Sequence, residues 1–472
     1  MTTRRVFWIL TITVFAGLLI PSLVQNGMFV DGVTYGAISR NMAQGIGDFL
    51  NPHYTKTLYP EFHEHPPLVF ILQSFFFMVL GDGIYTERIF SFFNAVLSAW
   101  GIVLLWRLFN KNNDQKDYDW LPVLLWITVP LVFWSYSNNL LENSVSAFVL
   151  FAVWFIAKSC LEDRIIYLLP GSLLIFLAFL SKGVVGLFPL VTPLCFGLAF
   201  RGKNYKKFVL CNSYLILLAA LLFFMVFKLI PGLESNIKSY FSQQLIPSLT
   251  NRKEITTGNR FFILWSLVPE LVFPLLFLFY FLVKEWLKTK KLPLPRDRSY
   301  LFFLFIALAA SVPLVVTLKQ RKFYLVPSIP FYVLTVSALI IPFLKNTMAG
   351  LSPPALKRVE KISMIAFGVV ILVAVLRFGK YSRDEEEIRD VYRISETIPR
   401  GSVVGTTKDL GSDWKFVAYL CRIGYISLDP DKKKRHQYFI LEKKDVIPAD
   451  VLKDYEKTDL RLQNYTVLKK TE

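Results

Sequence analysis

Charge is scarce in this chain: 19% of its 472 residues are Asp, Glu, Lys or Arg, where a soluble domain carries ~25%. With 54% hydrophobic residues, that shortage excludes an ordinary soluble globule. Histidine is scarcer still, at four residues. The four cysteines (Cys160, Cys195, Cys211, Cys421) make no metal or redox spacing, and three lie in or beside apolar runs, so they read as small core residues. No Gly-x-Gly-x-x-Gly or P-loop pattern occurs, and there is neither an internal repeat nor a low-complexity linker. The opening segment has two arginines and an apolar run but no small-residue cleavage pattern. It reads as a retained signal anchor with Arg4 and Arg5 inside.

What the chain does have is apolar runs of membrane-spanning length, recurring from residue 6 to residue 378. Eleven crossings are expected, near 6–25, 88–108, 120–137, 140–158, 165–181, 184–200, 208–230, 260–283, 300–318, 323–343 and 361–378. Pro66–Leu80 is apolar but short, and is expected to lie against the outer membrane face. The loops assigned to the cytoplasm hold 21 basic residues: Arg4, Arg5, Arg107, Lys111, Lys116, Lys158, Arg164, Arg201, Lys203, Lys206, Lys207, Lys284, Lys288, Lys290, Lys291, Arg296, Arg298, Lys345, Lys357, Arg358 and Lys361. That bias is the positive-inside pattern. It accounts for the net charge of +18 without a nucleic-acid partner, and an odd number of crossings puts the C-terminal tail outside. From about residue 380 the pattern changes to a charged amphipathic helix, a Pro-Gly turn and short strand-like runs at Ser402–Thr406, Gln437–Leu441 and Tyr465–Leu468, with a helix around Trp414–Arg422. The basic run Lys432–His436 reads as a solvated turn.

The titratable chemistry concentrates in residues 26–67, between the first apolar span and the rest, where three of the four histidines fall. Asp31 stands about one turn beyond the first span. It suits either a helix cap or a general base that takes a proton from an acceptor hydroxyl. Glu61, His63, Glu64 and His65 precede Pro66-Pro67, whose stiff backbone aims Glu64 and His65. Glu64, His63 and His65 could ligate a divalent metal with a further ligand from elsewhere, or simply form a polar cap over the membrane rim. Alternation along an extended segment would point both histidines one way and Glu64 the other. Cations also sit at the outer ends of spans, against the charge rule: Arg88, Lys182, Arg252, Lys253, Arg260, Lys319, Arg321 and Lys322. Snorkelling to headgroups is one explanation; a phosphate at the outer leaflet, held with help from Tyr324, is another. Glu142, at the start of the fourth span, must be paired or near the interface.

Taken in order, several of these features resemble the GT-C glycosyltransferases of the protein O-mannosyltransferase and aminoarabinose (lipid A) transferase lineage. They are the acidic Asp31, the Glu64-His65-Pro66-Pro67-Leu68 run, Gly81 to Ile89 with its Glu87-Arg88-Ile89, Glu142, Leu180–Gly183, and Lys322–Pro330. The match runs through most of residues 1 to 345. The resemblance implies a bacterial inner-membrane enzyme, inverting, that moves a sugar from a polyprenyl-phosphate donor to a hydroxyl or phosphate of a lipid, glycan or protein acceptor at the outer face. Asp31 would act as base, with Glu142 as a second catalytic carboxylate. His65, Lys182, Arg252, Arg321, Lys322 and Tyr324 would hold the donor phosphate. The aminoarabinose branch has Lys where His65 stands, and the mannosyltransferase branch has Asp-Glu where this chain has Asp31-Gly32, which leaves sugar and acceptor open. No cofactor is required by this chemistry, although a divalent metal remains an option. The expected organisation is a GT-C-like membrane module over residues 1–379, with its first outer loop and juxtamembrane helices at 26–87, and a small extracytoplasmic α/β domain over 380–472. A multi-span transporter or lipid-linked sugar flippase is the rival; its usual marks, internal repeats and polar groups at the membrane midplane, are missing.

Overall fold

A computed structural model describes residues 2–471 except 201–204, 251, 253–254, 291–296, 432, 449–450 and 452. Arg201, Lys203, Lys253, Lys291, Arg296 and Lys432 therefore lie outside the described residues. The protein is an integral membrane bundle. Among the described residues eight helical segments are long and apolar enough to cross a bilayer, and ten if two bent pairs each count as one span. One of the eight, Ile165–Phe200, doubles back. Gly183 sits at φ +75, and a Cβ on Gly186 would stand 2.5 Å from the backbone of Ala178, which is possible only if the chain reverses between them. Eleven crossings were expected, against these eight to ten.

Two expected spans are broken rather than straight. Asp114–Ile127 and Pro130–Ser137 meet at 75°, and Phe262–Glu270 and Val272–Thr289 at 62°. Pro130 explains the first break, because proline lacks a backbone N–H and disfavours helix in the residue before it. A broken helix leaves amides unpaired where no water can reach them. The two breaks solve this jointly: the N–H of Leu131 donates to the Glu270 carboxylate at 2.9 Å, joining one break to the other.

The stretch expected to be a polar loop holds a second helix, Val30–Ala43, ahead of the expected juxtamembrane helix Leu68–Leu80. Glycines hid it from a periodicity reading, and one of them is there for contact. A Cβ on Gly32 would stand 1.9 Å from the carbonyl oxygen of Asn138. The residue that departs from the Asp-Glu pattern is thus the one that lets this helix close on the span behind it.

After helix Glu385–Thr397 comes a five-stranded mixed sheet of β1 (Val403–Thr406), β2 (Ser427–Asp429), β3 (Tyr438–Glu442), β4 (Tyr455–Lys457) and β5 (Tyr465–Lys470), in the order β2-β1-β3-β5-β4. β1 runs parallel to β2 and β3, and β3–β5–β4 are antiparallel. Helix Trp414–Gly424 is the crossover between the parallel strands β1 and β2. This layer does not hang free. Ile388, Val391, Phe416 and Leu420 share one apolar core with Val33, Tyr35, Tyr54, Phe62 and Phe70 of the first loop. Around that core, Arg422 donates to Glu87 at 3.1 and 3.0 Å and to Asp82 at 2.7 Å, while fully buried Arg40 donates to the Cys421 carbonyl at 2.5 Å. The C-terminal segment is thereby fixed as a wall of whatever the first loop encloses.

Candidate active site

Between helix Val30–Ala43, the segment Phe62–His65, the reversal at Lys182, the turn at 319–324 and the C-terminal layer lies a cavity of ≈ 620 Å³. It gathers two carboxylates (Asp31, Glu64), three fixed cations (Lys182, Lys319, Arg321), His65, and the phenols Tyr35 and Tyr324. A second cavity of ≈ 580 Å³ shares His65, Lys182, Gln244, Lys319 and Tyr324 with it and is otherwise largely apolar, lined among others by Leu187, Val191, Leu249 and Leu314. The polar chamber therefore opens, through a collar of basic and phenolic side chains, into a greasy groove.

Asp31 lies in the first turn of its helix, but Phe29 is the N-cap residue and takes no side-chain cap bond. The cap reading of Asp31 thus fails, and its carboxylate is left to face the cavity. Burial is the largest influence on it and lifts its pKa above the usual carboxylate range. Lys182, Arg321 and Lys319 oppose that lift, and Glu64 adds to it. A carboxyl whose proton affinity is raised in a cleft lined by cations is suited to general-base work. Tyr35, one helical turn on, is held neutral far above its ordinary range by burial, with Asp31 adding to the effect, and its hydroxyl meets His65 Nε2 at 3.3 Å.

Glu142 is fully buried and accepts a hydrogen bond from Lys182 Nζ, but does not line the cavity; it stands behind the lysine. Lys182 closes its helix beside the rings of Tyr324 at 5.2 Å and Phe323 at 5.5 Å. The pair brings a cation to the chamber wall in a region where an unpaired charge would cost several kcal/mol, on the order of 3–5 by analogy with broken buried pairs.

The other expected residues divide. His65, Lys182, Arg321 and Tyr324 converge on the chamber, and Glu64 joins them. Lys322 does not. It opens the 3-10 turn Lys322–Leu325, whose side chains step by about 120° per residue, and points instead to Glu270 at 3.8 Å. Lys319 lines the chamber where Lys322 was expected. Arg252 is exposed just beyond helix Ile246–Leu249 and lines neither cavity. Arg88 is a structural brace: its buried guanidinium donates to the carbonyls of Ser22, Gly27 and Ser137. Arg260 likewise donates to the Val316 carbonyl.

The metal reading is not assembled by the fold. His63 turns away to Asn236 at 3.0 Å and to Glu61 at 3.4 Å, while Glu64 and His65 face the chamber. The segment is not extended strand, so the strict alternation that would pair the two histidines does not apply. No group of three or more His, Cys, Asp or Glu gathers into a metal site among the described residues. The basic run near 433–436 is partly engaged, with Lys434 and His436 both on Asp429 at 3.2 and 3.1 Å.

Comparison with known proteins agrees with this architecture. Residues 64–230 match the family model of dolichyl-phosphate-mannose-protein mannosyltransferases. No match is found among curated proteins. The fold is similar to that of ArnT from Cupriavidus metallidurans in its crystal structure bound to undecaprenyl phosphate, with a TM-score of 0.65 at 15% identity over 97% of each chain. It is similar to the apo ArnT crystal structure as well, at 0.65, 14% identity, 97% of this chain and 95% of that one. The archaeal oligosaccharyltransferase AglB from Archaeoglobus fulgidus, in complex with an inhibitory peptide and a dolichol-phosphate, aligns at 0.50 and 14% identity over 92% of this chain and 69% of its own. The chain has the GT-C fold, and the likeness to ArnT runs past residue 345, where the motif resemblance stopped.

Proposed function

We propose that the chain is a membrane glycosyltransferase that takes a sugar from a polyprenyl-phosphate donor and passes it, with inversion, to a hydroxyl or phosphate of an acceptor at the outer membrane face. One observation supports this most: a chamber holding carboxylates and cations opens through a shared cationic collar into an apolar groove. A phosphate with a long isoprenoid tail has that shape and that division of chemistry. The headgroup would sit at the collar, near Lys182, Lys319, Arg321, His65 and Tyr324, and the tail would lie along the groove toward lipid.

In the transfer, the acceptor oxygen attacks the anomeric carbon, and the bond from that carbon to the phosphate oxygen breaks. The bonding electrons leave with the polyprenyl phosphate, whose added negative charge the collar cations neutralise. The acceptor's proton goes to Asp31. The oxocarbenium-like transition state is stabilised by nearby carboxylate charge, for which Asp31 and Glu64 are placed. Inversion follows if the acceptor approaches from the face opposite the phosphate, which the separation of Asp31 from the groove favours.

The same reading places the enzyme in a bacterial inner membrane, with residues 1–379 as the transferase module and 380–472 as an extracytoplasmic layer over its first loop. ArnT, the AglB structure and the matched family all concern polyprenyl- or dolichyl-phosphate chemistry, which supports the donor class. A flippase is less favoured, since the polar groups gather at one end of the bundle. Undecaprenyl phosphate binding tests the proposal: it should raise the melting temperature of purified protein, and the effect should shrink in Lys319→Gln/Arg321→Gln. Equal stabilisation of both would overturn it. Lys182 is avoided here because its loss would strand Glu142.

A further inference from the structure

The collar divides the chamber. His65, Lys182, Gln244, Lys319 and Tyr324 border the groove, whereas Asp31, Glu64, Phe62 and Trp414 line the chamber alone, as does Arg321 beside the collar. Trp414 is the chamber residue contributed by the segment after 380. Nothing about the donor reading requires it.

Its setting is built. Trp414 is the first residue of an eleven-residue helix whose N-cap, Asp413, accepts from the amides of Lys415 at 2.9 Å and Phe416 at 3.3 Å, which fixes where the indole leaves the backbone. Tyr54, fully buried, lies parallel to it at 6.4 Å and an interplanar angle of 6°. Tyr59 adds a second ring at 5.8 Å. Tyr59 holds φ at 52°, a conformation a bulky side chain seldom takes, and its hydroxyl donates to Glu64 at 3.4 Å. Despite both neighbours Trp414 stays 41% exposed, and it lines the chamber. A tryptophan meant only to fill the core would be covered. This one packs on Tyr54 and Tyr59 and lines the same chamber as the Glu64 carboxylate.

Building on the transferase reading above, we propose that Trp414, steadied by Tyr54 and Tyr59, forms a stacking platform for a sugar ring of the acceptor. Glu64 would accept hydrogen bonds from that ring's hydroxyls. Pyranose rings carry a patch of C–H groups on one face and hydroxyls at the edge, and an aromatic plane flanked by a carboxylate complements both. The acceptor class so selected is a glycan or glycolipid, in preference to a protein side chain. A ring stacked here would present its rim to Asp31, on the chamber side away from the collar.

The test uses the full purified chain in nanodiscs. N,N′-diacetylchitobiose, methyl α-mannopyranoside and a Ser/Thr-containing peptide are titrated in turn by saturation-transfer NMR, alongside a thermal-shift measurement with undecaprenyl phosphate. At least one saccharide should bind, roughly three- to tenfold more weakly in Trp414→Ala, the size of one aromatic contact. Trp414→Phe should recover most of that loss, and undecaprenyl phosphate should stabilise parent and both variants equally. The platform is overturned if no saccharide binds the parent, or if Trp414→Ala weakens only the peptide. It is also overturned if that variant loses undecaprenyl phosphate too, since Trp414 would then be holding the fold. Failure of the parent to respond to undecaprenyl phosphate strikes the donor reading instead.

Discussion

Lys182 reaches Glu142 in a buried ion pair at the point where the chain turns back on itself, so one contact both closes a helical hairpin and presents a cation to the chamber. Breaking that pair should cost more than removing it. Glu142→Ala leaves the lysine buried without its partner and should destabilise the protein by about 3–5 kcal/mol. Glu142→Gln/Lys182→Met should recover most of that loss. Denaturation of the three proteins in one detergent checks the order. A double variant as unstable as the single would show that the pair does not act as a unit.

Asp31→Asn should cut transfer by roughly 10²–10⁴-fold, the range of general acid–base catalysis. The same substitution should leave the fold intact and slightly more stable at neutral pH. The signs follow from the raised pKa. The folded state binds the Asp31 proton more tightly than the unfolded chain does, so this residue's contribution to stability grows as pH falls and is lost as pH rises through the folded value. Activity needs the ionised form and runs the opposite way, failing on acidification at a higher pH than an ordinary aspartate would give. Parallel pH profiles of turnover and melting temperature, with Asp31→Asn as control, separate the two.

Gly32→Ala should be poorly tolerated although it adds a single methyl group. The new Cβ would meet backbone, the Asn138 carbonyl oxygen at 1.9 Å, which no rotamer change relieves. Gly45→Ala serves as the comparison, since no heavy atom lies within 4 Å of a Cβ there, although its φ of +72 carries its own strain. Yield and melting temperature of the two variants check this; a Gly32→Ala protein no less stable than Gly45→Ala would contradict the close approach.

His65→Ala should weaken undecaprenyl phosphate binding, because His65 lines both the chamber and the groove. Thermal shift at a fixed lipid ratio reads both proteins, and equal stabilisation of the two would remove His65 from the collar.

Lys470, exposed at the end of β5, should be on the outer side of the membrane. Lys470→Cys in cells should react with an impermeant maleimide before lysis. Labelling only after the inner face is opened would reverse the threading.

Much of this was readable in the chain. Length and hydropathy forecast the crossings, because a bilayer demands about 20 apolar residues whatever the packing. Asp31, His65, Lys182, Arg321 and Tyr324 were singled out because ionisable side chains near a membrane need a reason, and they line one chamber; Glu64, singled out as a metal ligand, lines it with them. The rest depended on geometry that composition does not carry. Lys319 and Lys322 are indistinguishable as neighbours in Lys319–Lys322; only the 3-10 turn decides which one faces the chamber. The helix Val30–Ala43 was masked by Gly32 and Gly36. β2 and β4, three residues each, are held by their neighbours more than by their own propensity. Trp414 belongs to no motif and acquires its place only when the C-terminal layer folds over the first loop.

The central claim is that one polyprenyl phosphate occupies the collar and the groove together. A structure of the protein with undecaprenyl phosphate tests it directly. The phosphate should lie within about 4 Å of Lys319 and Arg321, the reach of a direct ion pair, with the first isoprene units passing Val191 and Leu314 toward lipid. A phosphate bound elsewhere on the bundle, with no lipid in either cavity, would contradict it.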